Sequence, residues 1–261
     1  KKLGSGVAYN AFDLEYQNLL NDYLYSGGFP EVVLTSIDKN IYLSTMFDSI
    51  ILRDIVNRYN VRSSVDLSQL AKYLITNFTK EFSYTKLANS LGFTSVNTVI
   101  SYVNYIEETY LLQTVSRFSQ KVKEQMNAPK KIYCVDNGFI DAQTMQNLDP
   151  KGKLIENLVF VELLRRGLQP NLTLFYYKTK NEKEIDFVAR SGYEVSALYQ
   201  ATFSIANVET KKREISALLE ASAELNCNNL NVITWQEEAV EIVDGKEIKF
   251  IPLAKFLLNE K

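Results

Sequence analysis

One acid stands where an amphipathic helix should be apolar. The segment Lys153-Leu-Ile-Glu-Asn-Leu-Val-Phe-Val-Glu-Leu-Leu-Arg-Arg166 reads as a helix closed by Gly167. Val159, Phe160 and Leu163 follow Glu156 at helical spacing and share its face. A carboxylate left alone there is costly. Glu156 therefore calls for a partner cation, a set of hydrogen bonds, or a metal or catalytic role. Glu162 has Arg165 and Arg166 within a turn and needs no special account. A second acid, Asp186, lies in the strand-like run Glu184-Ile-Asp-Phe-Val188, where alternation sets it on the face opposite Ile185 and Phe187. In Tyr199-Gln-Ala-Thr202, Gln200 and Thr202 are two apart and share a face. One helical acid and two adjacent strands can converge on a single cleft. The chain contains no histidine. That excludes Ser-His-Asp and Cys-His catalysis within it. Any chemistry must run on carboxylates, lysine, tyrosine, hydroxyls or a hard cation held by carboxylates.

The elements that must position these groups follow an α/β rhythm from Lys151 onward. A helix over 154–166 precedes strands at Leu172–Lys178, Glu184–Arg190 and Tyr193–Phe203. A polar helix with Glu209, Lys211, Arg213, Glu214 and Leu218 comes next. A strand at Leu230–Trp235, a hairpin turning at Asp244-Gly245 and a helix from Pro252 complete the series. Upstream, Leu67 to about Asn77 reads as a helix. Ser83 caps a second that ends at Gly92, and Thr94-Ser95 open a third from Val96 to about Leu112. Strands at Gln113–Phe118 and Lys130–Val135 follow. The pattern is a helix-turn-helix with a hairpin for a wing. Residues 11–60 read as helical, with Leu19, Leu20, Tyr23 and Leu24 ahead of the stop Gly27-Gly-Phe-Pro30. A long helix is expected from about Ile41 to Arg58.

Charge adds one local signal. The 29 basic and 31 acidic residues leave a net charge of −2, so nothing global points to nucleic acid. The third helix, Ser95 to Leu112, carries no lysine or arginine and includes Glu107 and Glu108. In the wing, Arg117, Lys121, Lys123, Lys130 and Lys131 face only Glu124. Those five are the candidate phosphate contacts, against the alternative of a solvated basic loop. No apolar run approaches the roughly 18 residues of a membrane span. Cys134 and Cys227 lack metal-ligand spacing and read as reduced thiols of a cytoplasmic protein.

The order of Glu156, Asp186 and the strand carrying Gln200 and Thr202 resembles the PD-(D/E)XK nuclease-like superfamily. There a helical Glu, a strand Asp and a Glu-x-Lys on the next strand bind Mg²⁺ and activate water. Glu156 and Asp186 match the first two positions, while Gln200 and Thr202 replace the Glu and the Lys. The resemblance thus implies a degenerate site with no catalysis, and at most weak Mg²⁺ binding by Glu156 and Asp186.

Along nearly its full length the chain also resembles the C-terminal part of archaeal- and bacterial-type AAA ATPases carrying domain-of-unknown-function family 4143. The matching pieces are Gly27-Gly-Phe-Pro-Glu31, Leu52-Arg-Asp54, the Ser83-to-Leu112 helices, Pro129-Lys-Lys-Ile-Tyr-Cys-Val-Asp136, the helix from Glu156, Glu184-Ile-Asp-Phe-Val188 and Arg213-Glu214.

That family implies an upstream ATPase domain as a partner. This chain has no Gly-x-x-x-x-Gly-Lys-Ser/Thr loop, so ATP would bind only through that domain. The expected fold is α+β and multi-domain. It comprises a helical lid or connector (1–65), a winged helix-turn-helix (66–150) and a restriction-endonuclease-like α/β domain (151–261). Two functions stand: a DNA-binding or partner-binding module without catalysis, and a protein-protein scaffold or regulatory module with no nucleic-acid role. A Mg²⁺-dependent nuclease is a third. None of the three requires a membrane.

Overall fold

A computed structural model describes residues 5–144 and 150–258, with side chains from residue 15 onward. The chain is mixed α and β, with a helical N-terminal part and a mixed sheet. Helix α1 (Ser5–Ser26) ends where Gly27 takes a positive φ of 73°. Pro30 then opens α2 (Pro30–Leu34), and Asp38 caps α3 (Lys39–Ser49) by accepting from the backbone of Asn40 and Ile41. The long helix expected over this stretch is continuous but irregular. Its middle, Ile50–Val56, is wound as a π-helix before α4 (Asn57–Tyr59). Apolar periodicity gives no sign of that change of winding.

Helix α5 (Ser64–Thr76) is followed by a two-residue strand, β1 (Glu81–Phe82), which the sequence reading missed. Helix α6 (Tyr84–Leu91) is capped by Ser83 and closed by Gly92 at φ 73°, and α7 (Val96–Glu108) follows. Strands β2 (Leu112–Ser116) and β3 (Lys130–Cys134) pair antiparallel, and their connection carries a short helix, α8 (Val122–Asn127). The three strands lie in the order β1-β3-β2. Helix α9 (Asn137–Gln143), also unforeseen, is capped by Asp136.

The remainder is a six-stranded sheet. Helix α10 (Lys151–Arg165) leads into β4 (Leu174–Lys178), β5 (Glu184–Ser191) and β6 (Glu194–Ala201). Helix α11 (Val208–Leu225), β7 (Leu230–Thr234), β8 (Ala239–Val243), β9 (Lys246–Pro252) and α12 (Leu253–Leu258) complete it. The strand order is β4-β5-β6-β7-β9-β8, parallel only between β6, β7 and β9. Residues from α11, including Ala217, Leu218 and Ala221, share one core with Leu198, Leu230 and Val232. Residues from α10 and α12 share another with Phe187 and Ile233, and that core runs on without a break into the N-terminal helices and the three-stranded sheet.

Simple alternation does not hold at β5. Ile185 joins the α11 core and Phe187 the α10 core, although they are two residues apart. The reason lies in the ladders: between β4 and β5 the register shifts, two steps from Phe175 to Tyr177 opposing three from Val188 to Ile185. The β5–β6 register extends only to Phe187 opposite Tyr199. Beyond it, Asp186 N donates to Gln200 Oε1 at 2.9 Å, and Ala201 N donates to Asp186 Oδ2 at 2.9 Å. Two side chains stand in for main-chain partners, and the strands part at the acid.

Candidate functional site

The parted strands receive a lysine from another sheet. Lys131 of β3 is 1% exposed, and its Nζ lies 2.9 Å from Glu156 Oε1, 2.7 Å from Glu184 Oε1 and 3.2 Å from Asp186 Oδ1. Tyr133, on the same face of β3, donates its hydroxyl to Glu156 Oε1 at 2.8 Å. Its ring stacks on Phe160, one turn along α10, with centroids 4.5 Å apart. The Tyr176 ring lies 5.9 Å from the Lys131 ammonium. Glu156 thus has both a partner cation and a hydrogen bond, two of the three roles its position demands.

The sequence-selected acids therefore share one centre: Glu156 and Asp186 meet through the Lys131 ammonium. Gln200 is present but turned inward. Its Nε2 donates to Glu184 O at 2.8 Å, so both ends of its amide are spent on backbone. Thr202 is buried, and its backbone N–H pairs with Ile233 O while its hydroxyl points to Ser204 O at 3.5 Å. It takes no place beside the carboxylates. The sequence reading missed Glu184 as a participant, along with Tyr133 and Glu214. Glu214 is buried on α11. Burial pushes its carboxyl up, and Asp186 and Glu184 add to the shift while Arg213 opposes it.

Three carboxylates share the Lys131 ammonium, and the next cation, Lys178, is 4.0 Å from Glu184 and already paired with Glu81 at 2.6 Å, so the cluster is short of positive charge. Burial, aided by Asp186, pushes Glu156 up to about 8 against the pull of Lys131 and Tyr133. Burial alone would weaken the Lys131 ammonium. Glu156, Tyr133, Asp186 and Glu184 outweigh it and hold the group well above the usual lysine range. A proton on Glu156 and a charge on Lys131 are compatible, because Glu184 and Asp186 still face the ammonium. A Mg²⁺ ion does not fit this arrangement. The ammonium stands where the acid oxygens converge, and the amide that would complete an oxygen set faces the backbone.

A second buried network ties the same strand to the same helix. Asn157, next to Glu156, accepts from Cys134 N at 2.9 Å and donates to Cys134 O at 2.8 Å and Asn137 Oδ1 at 2.9 Å. Asn137 donates to Leu24 O and Leu154 O. Asp136 accepts from Gly28 N and Gly138 N, each at 2.7 Å. A Cβ on Gly27 would fall 1.7 Å from Asp136 Oδ1, so this turn must be glycine.

Lys131 is a correction to the basic-wing expectation: strand alternation turns it inward, where no phosphate reaches it. The other four cations are near the surface but largely engaged. Lys130 is half-buried and bonds Ser116 Oγ at 3.1 Å. Arg117 donates to Lys178 O and lines a cavity of about 610 Å³ beside Lys178, Lys180, Glu124, Glu182 and Glu224. Lys121 pairs with Glu124 at 2.8 Å, and Lys123 is exposed on α8. Val122 and Met126, one turn apart on α8, are 70% and 74% exposed. Lys180 and Lys183 stay out of the centre, and Lys178 reaches only its edge, 4.0 Å from Glu184 Oε2. Lys178 pairs with Glu81, Lys183 pairs with Glu220, and Lys180 is exposed.

This is a mixed α and β protein whose acid cluster is closed by a lysine at the seam of its two sheets. Residues 17–150, just over half of the chain, match the family described as Domain of unknown function (DUF8612), and the chain belongs to that family. Residues 151–256 match Domain of unknown function (DUF4143). The second match bears out the DUF4143 part of the resemblance over those residues. An uncharacterized protein of Methanocaldococcus jannaschii is 36% identical over 94% of this chain and 56% of its own length. An uncharacterized protein of Haemophilus influenzae is 32% identical over 75% of this chain and 50% of its own length. The chain thus spans about half the length of these curated relatives. No solved structure matches it. Among the described residues no helix is long and apolar enough to cross a membrane.

Proposed function

We propose that this chain is a non-catalytic module of a larger AAA-type ATP-binding protein, built from a winged helix and a nuclease-like domain, and that it works by contacting a protein partner. The observation that carries the loss of catalysis is the double use of Gln200. Its amide is spent on the backbone of Glu184 and Asp186, at the position where the nuclease-like pattern needs a free carboxylate. Hydrolysis of a phosphodiester also needs stabilisation of developing negative charge, and Thr202 offers none. The order α5, β1, α6, α7, β2, α8, β3 over residues 64–134, with the three strands in one sheet, supports the winged-helix assignment. The DUF4143 match and the half-length coverage of the relatives support an ATPase domain elsewhere in the full protein.

Protein contact is favoured over DNA because the wing's cations are largely engaged and its apolar Val122 and Met126 face solvent. Asn97, Asn104 and Glu108 are the exposed residues of α7, which would be the recognition helix. DNA binding is the second reading, carried by the exposed Lys121 and Lys123. The test is supercoiled and single-stranded DNA incubated with Mg²⁺ or Mn²⁺, with Asp186→Ala as control, alongside filter binding across a salt series. The expected results are no cleavage and no salt-sensitive retention. Cleavage that disappears in Asp186→Ala overturns the non-catalytic reading. Retention with a steep salt slope moves the assignment to DNA.

A further inference from the structure

We propose that Lys131 is the resident cation of the acid cluster, taking permanently the place a metal ion has in the nuclease-like pattern, and that it serves as the latch between the two sheets. This rests on the non-catalytic reading above and says what the degenerate site has become.

Three observations carry the inference. The first is geometry: one Nζ lies within 2.7–3.2 Å of carboxylates from α10 and from two positions of β5. An ordinary surface ion pair joins two long, mobile side chains and contributes little. Here the Lys131 ammonium, 1% exposed, hydrogen-bonds Glu156 and Asp186 and pairs with Glu184 at 2.7 Å. The second is origin. Lys131 belongs to β3, whose own pairing is with β1 and β2, so the contact joins two sheets rather than two residues of one element. The third is the opening that receives it. The β5–β6 ladder gives way at Asp186, where Gln200 and the Asp186 carboxylate replace main-chain bonds. The Tyr176 ring lies 5.9 Å from the ammonium, and Tyr133 holds Glu156 beside it.

A resident cation makes a prediction that an incidental ion pair does not: removing it should leave a demand for positive charge that a divalent ion can meet. Thermal unfolding of the purified chain, in EDTA and across a titration of MnCl₂ and CaCl₂, reads this directly. The parent should not respond. Lys131→Ala should melt lower in EDTA and recover by roughly 3–6 °C with Mn²⁺. An equal response in the parent, or none in Lys131→Ala, overturns the proposal.

A second arm covers loss of folding. Lys131→Met fills the space without the charge, and Lys131→Met with Glu156→Gln also relieves the acids. The double variant should melt above the single one. If it melts no higher, or if it also fails to fold, the ionic latch is refuted. DNA cleavage by the parent would instead break the non-catalytic reading and leave this melting series intact.

Discussion

Lys130 and Lys131 are adjacent in sequence and opposite in fate. Lys130 stays near the surface of the β2–β3 pair beside Ser116, while Lys131 enters the seam between the sheets and meets three acids. The same contrast separates two regions of the molecule. The seam is dense with specific, buried polar contacts from β3 to α10 and β5. The β2–β3 connection, only a few residues away, is exposed and held by local pairs such as Lys121 with Glu124. Charge of one sign therefore does different work on the two faces of one strand. Inside it meets three acids between two sheets, and outside it bonds the Ser116 hydroxyl. A count of basic residues cannot see that division, because it turns on which way each side chain points.

The largest expected effect breaks the seam at its uncharged half. Asn157 is fully buried and makes three hydrogen bonds to Cys134 and Asn137. Asn157→Leu keeps the volume and strands three polar partners without water. The expected loss is about 3–5 kcal/mol, because each buried group left unpaired costs about 1–3 kcal/mol. Urea unfolding of parent and variant measures it. A loss near that of an average surface substitution would mean that the docking of α10 on β3 does not depend on this network.

Much of this fold was legible in the chain, and the misses share a cause. Residues that act through local chemistry were readable: the Gly27 stop, the Ser83 cap, the Asp244-Gly245 turn and the apolar face around Glu156. Elements defined by contact with distant residues were not. Strand β1 has two residues and exists because β3 pairs with it. The acid centre was legible by half. Glu156 and Asp186 were selected because each is an acid in an apolar setting. Lys131 was assigned to the wrong surface because nothing local distinguishes it from Lys130. The available signal was its run of apolar neighbours, Ile132 to Val135, which marks a strand buried on both faces. A lysine inside such a strand needs an internal partner.

The next effect sharpens the seam by its pH dependence. Glu156 rises from an ordinary 4.5 to about 8 on folding. Between those values the folded chain binds a proton that the unfolded chain does not. Stability from this group is therefore full below 4.5 and is lost as pH rises through about 8. Asp136 and Glu214, both raised by burial, act in the same direction. Urea midpoints should fall between about pH 5 and about pH 9, and Glu156→Gln should flatten that fall without abolishing it. A midpoint that climbs with pH in the parent would show that Glu156 is ionised throughout and bound to Lys131 as a simple pair.

The smallest expected effect comes from the exposed region, and its smallness is what the comparison requires. Lys121, just ahead of α8, is 78% exposed and paired with Glu124 of that helix, and Lys123 is exposed beside it. Replacing both with alanine should change stability by less than about 0.5 kcal/mol, because exposed pairs contribute little and salt screens them. The same double variant tests the second functional reading. If the β2–β3 connection binds phosphate, retention of DNA should weaken and its salt slope should drop by about 2, close to one unit for each cation removed. If that surface serves a protein, Val122→Asp and Met126→Asp should abolish partner capture while Lys121→Ala and Lys123→Ala leave it largely intact. Apolar contact area lost to a buried charge costs far more than a screened ion pair. A stability loss in the lysine double variant comparable to that of Asn157→Leu would erase the distinction between the two regions, and the connection would then belong to the docking seam.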